Sequence, residues 1–183
     1  MRPAPCVVAK GRTKAKFPKA PYFRAPESWL SIDPASGSKP SYAVRWSGTT
    51  AENFVAITHQ SMDDISRVLK GSDLVVVEGG GFVGANAAAA LALARVRERF
   101  ACVAWHQRIS TLEVAPDHWR SNLELAARPR SQAVAAQRSL CKLLASESVP
   151  ILPLAAKATN DDKRAALLIG WACCNAWDWT KDY

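Results

Sequence analysis

The segment Asp73-Leu74-Val75-Val76-Val77-Glu78-Gly79-Gly80-Gly81 constrains the fold more than any other. Its unbroken apolar run lacks the alternation of a strand with one wet face, so 73–78 reads as a strand covered on both sides. Residues 86–99 are rich in alanine and leucine and read as a helix, which makes a βα unit with that strand. A chain built around such a strand is layered, with helices packed on a sheet.

The elements on either side agree with that frame. Trp29–Asp33 reads as a buried strand stopped by Pro34, residues 42–46 alternate as a second strand, and 53–58 follow as a third after a Ser47-Gly48 turn signal. These three form an antiparallel meander. Ser61 has the position of an N-cap for a short helix, Met62–Leu69, ended by Gly71. Downstream, 101–105 reads as a fifth strand and 112–115 as strand-like, and Asp117 is placed to cap a helix carrying Trp119 and Arg120. A long helix over 131–145 turns Val134, Leu140, Cys141 and Leu144 inward, and 149–154 reads as extended but is weakened by Pro150 and Pro153. Thr159 or Asn160 caps a last helix reaching about residue 177, with Leu167, Leu168, Trp171 and Ala172 as its core stripe. No internal repeat is visible. The expected class is α/β, a mixed central sheet with three antiparallel opening strands and flanking helices.

At 183 residues, with 49% of them apolar, the chain is long enough to bury a core without disulfides or a structural metal. Two units are expected: a basic, proline-rich flexible arm over 1–27 and a globular domain over 28–183. Residues 1–26 hold seven basic side chains (Arg2, Lys10, Arg12, Lys14, Lys16, Lys19 and Arg24), five prolines and no acid. Such a block either solubilises or touches phosphate. The net charge of +8 favours a polyanionic partner. The five cysteines form no C-x-x-C pair and read as reduced and buried in an intracellular protein. His59, His106 and His118 lack zinc-site spacing, and no apolar run approaches the roughly 20 residues of a membrane span.

Three acidic positions stand out: Asp33 ending the first strand, Glu78 ending the apolar strand, and Asp161-Asp162 opening the last helix. Each has an ordinary explanation, as a turn former, a carboxylate emerging at a loop, and acids complementing a helix dipole. Brought together by the fold, they form an oxygen-donor cluster of the kind Mg2+ or Mn2+ prefers.

These segments resemble the RuvC-type Holliday junction resolvases, in particular compact phage and bacterial RuvC-like endonucleases of the ribonuclease H-like superfamily. The likeness spans about residues 30–177. Leu-Ser-Ile-Asp-Pro-Ala-Ser-Gly resembles the family's first-strand motif, Val-Val-Val-Glu its second acidic strand, Val-Ala-Pro-Asp-His-Trp-Arg its Pro-x-x-Trp-Lys/Arg element, and Asp-Asp-Lys-Arg-Ala-Ala-Leu-Leu-Ile-Gly its last helix. The resemblance implies two-metal phosphodiester hydrolysis of branched DNA such as four-way junctions, by a homodimer in the cytoplasm of a bacterium or phage-infected cell. It implies that Asp33, Glu78 and Asp162, with Asp161 as a substitute, hold two Mg2+ or Mn2+ ions, and that Arg120 lies near the scissile phosphate. Phe82 would stack at the junction centre, and Arg128, Arg130, Arg138, Lys142 and Lys163 would contact DNA. Two departures stand out: the family's final aspartate falls on Ala165, and its second basic residue after the tryptophan is Ser121.

Two other classes stay open at this level. One is a nucleic-acid-binding relative without catalysis. The other is a dinucleotide-binding oxidoreductase, because Gly79-Gly80-Gly81-Phe82-Val83-Gly84 satisfies G-x-G-x-x-G between a strand and a helix. Against that reading, Glu78 would repel a pyrophosphate, the next expected strand ends in His106-Gln107-Arg108 instead of an acid, and the domain opens with a meander.

Overall fold

The computed structural model describes residues 17–22, 24–58, 61–79, 87–125, 130–146 and 152–179. Phe82, Arg128 and the glycine-rich residues 80–84 lie outside them, as does the side chain of Arg130.

Five strands form one mixed sheet in the order β3-β2-β1-β4-β5. They are β1 (Trp29–Asp33), β2 (Ser41–Ser47), β3 (Thr50–Ile57), β4 (Leu74–Glu78) and β5 (Ser110–Val114). β1, β2 and β3 pair antiparallel, whereas β1, β4 and β5 run parallel. The helices are α1 (Met62–Leu69), α2 (Ala87–His106), α3 (Pro116–Asn122), α4 (Arg130–Ser146), α5 (Leu152–Ala156) and α6 (Asp161–Ala176). One apolar core lies between the sheet and α1 with α2, around Leu30, Ile32, Val75, Val77, Val96 and Phe100. The other lies between the sheet and α3 to α6, around Trp29, Trp46, Val76, Trp119 and Leu167. The run from Leu74 to Val77 therefore feeds both cores alternately, as its uninterrupted apolar character requires.

Several local expectations need correction. Residues 101–105 are not a strand: they are the end of α2, where Val96, Phe100, Val103 and Ala104 are buried at helical spacing. Periodicity does not separate a short apolar strand from a buried helical turn. The strand after the glycine-rich loop is thus β5, which carries Glu113, so the missing acid no longer argues against a dinucleotide site. The antiparallel meander still does. Ala115, not Asp117, is the N-cap of α3, because Pro116 occupies the first turn and leaves Asp117 to complement the dipole. Residues Leu152–Ala156 are a short helix, where Pro153 is tolerated near the N-terminus. Cys102 is exposed, while Cys141, Cys173 and Cys174 are buried. Ser61 does cap α1, accepting from Asp64 N, and Asn160 caps α6, accepting from Lys163 N.

The stretch from Phe17 lies against the body. Phe17 meets Trp177 edge-on, Trp177 Nε1 donates to Pro18 O at 2.8 Å, and the Tyr22 hydroxyl donates to Ser110 Oγ at 2.9 Å. This strap crosses the end of the sheet where β4 and β5 begin, beside the C-terminal end of α6. No described helix is long and apolar enough to cross a membrane.

Candidate functional site

Parallel pairing sets the first two acids side by side. Ile32 is level with Val77 in the β1–β4 register, so the next residue of each strand, Asp33 and Glu78, closes its strand at the same height. Side chains alternate along a strand, which puts both carboxylates on the face of Ser31 and Val76, under α6. Strand ends of α/β sheets are where such sites form.

The third acid is brought in by how α6 is seated. Ser31 Oγ donates to Ala166 O at 2.7 Å and accepts from Trp46 Nε1 at 2.8 Å, tying β1, β2 and α6 together. One turn further along, a Cβ at Gly170 would overlap the Trp46 indole, so only glycine permits this close approach. With the helix fixed there, its first turn projects Asp162 toward the strand ends. Asp33 feels it: burial first, then the charge and hydrogen bond of Glu78, then the charge of Asp162 raise its carboxyl well above the usual range, against a lowering by Arg120.

The helix α3 supplies the remaining groups. Trp119 is fully buried, and its Nε1 donates to Glu78 Oε1 at 2.9 Å. The Arg120 guanidinium lies 3.9 Å from the same oxygen and 5.0 Å from the Trp119 ring centroid. The Arg120 Nε and His118 Nδ1 are buried without a hydrogen-bond partner among the described residues.

Asp161 is placed differently from Asp162. Its carboxylate accepts from Arg138 Nε and NH2, each at 3.1 Å, and from Arg164 NH1 at 2.7 Å. Arg138 first, and Arg164 with it, holds this carboxyl below its ordinary value. The triad borders a cleft of about 680 Å³ between α4, α5 and the start of α6, lined also by Lys142, Cys141 and Asn160. Burial pushes the Cys141 thiol up to about 11, so it is a poor nucleophile near neutrality. Lys163 points the other way, its Nζ 5.7 Å from the Tyr42 ring and 5.5 Å from the Phe54 ring. Ala165 is half-buried in α6, next to the residue whose carbonyl Ser31 holds.

Sequence reasoning named Asp33, Glu78, Asp162 and Arg120, and the structure sets Glu78, Asp162 and Arg120 within electrostatic reach of Asp33. It did not identify Ser31, Gly170 or the indole of Trp119 as what positions them. A serine inside an apolar strand and a glycine inside a helix were the available signals.

Asp33 and Glu78, with Asp162 acting on Asp33 by its charge and Arg120 beside Glu78, carry oxygen donors of the kind a hard divalent cation takes. Among the described residues, no three His, Cys, Asp or Glu side chains are grouped closely enough to hold a metal ion. The donor chemistry fits Mg2+ or Mn2+.

A mixed sheet with helices on both faces is a fold that this chain shares with solved structures. Among solved structures, Thermus thermophilus RuvC in complex with a Holliday junction substrate matches with a TM-score of 0.54 and 15% identity, over 79% of this chain and 90% of that one. A second Thermus thermophilus RuvC structure matches with a TM-score of 0.52 and 15% identity, over 79% and 92%. No protein-family model matches the chain, and no curated protein does. At this identity the likeness establishes the fold.

Proposed function

We propose that the chain is a metal-dependent, structure-selective DNA endonuclease that hydrolyses phosphodiester bonds in branched DNA such as four-way junctions. The observation that carries this reading is the level placement of Asp33 and Glu78 on adjacent parallel strands, with Asp162 near enough to raise the Asp33 carboxyl. In this reading Asp33, Glu78 and Asp162 hold two Mg2+ or Mn2+ ions. Asp161, engaged by two arginines, supports the helix instead of filling the Ala165 position. Divalent ions held by Asp33, Glu78 and Asp162 would supply Lewis acidity and lower the pKa of a bound water, the chemistry that phosphodiester hydrolysis requires.

The chain's own groups do the positioning. Arg120, half-buried beside Glu78, offers a cation to the scissile phosphate. Lys163 over Tyr42 and Phe54, and Arg138 with Lys142 along the cleft, offer phosphate contacts on either side. The family resemblance adds Arg128 and Arg130 as DNA contacts and Phe82 as a ring that would stack on a base at the branch point. Exposed Leu91 and Trp105 on α2, which are 55% and 75% accessible, suit a homodimer contact. The experiment is cleavage of a four-way junction and of linear duplex by wild type and Asp33→Asn with Mg2+ or Mn2+. Wild type should cut the junction, whereas Asp33→Asn should bind without cutting. Junction binding without cutting by wild type in either metal would favour a non-catalytic DNA-binding protein, and no cutting of any branched DNA would overturn the enzymatic reading.

A further inference from the structure

We infer that Trp119 is a positioning residue for the Glu78 carboxylate, joining the apolar core to the divalent-cation site. The inference rests on the reading of Glu78 as a metal ligand. A buried indole N–H needs an acceptor, and most find a neutral one. Here Trp29 Nε1 donates to Gly48 O, Trp46 Nε1 to Ser31 Oγ, Trp177 Nε1 to Pro18 O and Trp179 Nε1 to Tyr22 O. Trp119 instead donates to Glu78 Oε1 at 2.9 Å, a carboxylate at the end of a sheet strand. Spending a fully buried indole on an acidic strand end points to a demand on the orientation of that carboxylate.

The geometry meets such a demand. The Trp119 ring is fixed by the core around Val76, Val114, Leu167 and Leu168, so its N–H has little freedom to follow a moving acceptor. Arg120 lies 3.9 Å from the same Oε1 and over the same ring, so two donors of α3 converge on one oxygen. Glu78 in turn lies close enough to Asp33 for its charge to help raise that carboxyl. Outer partners of this kind fix ligand orientation, and their loss costs about 10- to 100-fold in metal affinity. The motif Pro116-x-x-Trp119-Arg120 then has a physical reason for its spacing. Proline starts the helix, and one turn later the indole and the guanidinium reach Glu78 together.

The test is Mn2+ binding to the full chain by electron paramagnetic resonance and calorimetry, for wild type and Trp119→Phe. The melting temperature without metal is measured alongside. Phenylalanine keeps an aromatic ring and removes the N–H, so the Mn2+ dissociation constant should rise by about 10-fold or more in a protein that still folds. A merely structural role would lower the melting temperature and leave the affinity of the folded protein unchanged, and that result overturns the inference. Should Trp119→Phe not fold, the indole N–H resonances of wild type and Glu78→Gln decide. One of the seven tryptophan signals should shift when the charged acceptor becomes an amide, and no shift overturns the inference. Failure of wild type to bind Mn2+ at all would overturn the metal reading itself. Unchanged Mn2+ binding by Trp119→Phe would overturn only the positioning role.

Discussion

Asp33 is a carboxyl held in a folded protein at a cost. Burial and the neighbouring Glu78 and Asp162 raise its folded-state value above the unfolded value of about 4. A carboxyl raised in this way binds its proton more tightly when folded. Its contribution to stability is fully present below about pH 4 and is lost as pH rises through the raised folded value. Metal-free wild type should therefore lose stability across that window, while Asp33→Asn should show a flatter profile and exceed wild type near pH 8. Urea denaturation across pH checks this, and a wild type that gains stability from pH 4 to 8 relative to Asp33→Asn would contradict it. Added Mg2+ should stabilise wild type more than the variant, because binding to the folded state alone raises stability.

At the scale of elements, the seating of α6 decides where Asp162 stands. Glycine to alanine within a helix ordinarily gains up to about 1 kcal/mol. At Gly170 the sign should reverse, since the added methyl meets an indole that Ser31 holds in place. Gly170→Ala should cost about 1–3 kcal/mol in urea denaturation. It should also weaken divalent-cation binding, because relief of the overlap moves the helix. Both acidic strands were legible in the sequence, because a carboxylate ending a run such as Leu-Val-Val-Val breaks a local pattern. The cap of the last helix was legible to within one residue, as Thr159 or Asn160, and it is Asn160. The two anchors of α6 were not, because Ser31 and Ala166 lie 135 residues apart and nothing local pairs them. The end of α2 was misjudged because five small and apolar residues carry either period, and only the burial of Val103 and Ala104 against α1 and the sheet resolves it.

For the whole molecule, the likeness to RuvC concerns shape, and the functional claim rests on a few side chains set into it. A symmetric cut across a branched substrate needs two such sites, which makes the exposed surface of α2 consequential. Trp105, 75% accessible, stands on that surface with Leu91 and exposed Cys102. Trp105→Glu should shift a dimer to a monomer in analytical ultracentrifugation without altering the melting of the fold, and an unchanged sedimentation coefficient would exclude this surface as the dimer contact.

The aromatic strap ties the far end of the molecule to the helix that carries Asp162. α6 has 16 residues, a rod of about 24 Å at the usual helical rise. Asp162 stands at one tip, and Trp177 at the other is clasped by Phe17 and Pro18. Ser31 and Trp46 pin the rod between those tips, so the distance from the strap to the acid is set by the same contacts that seat the helix on the sheet.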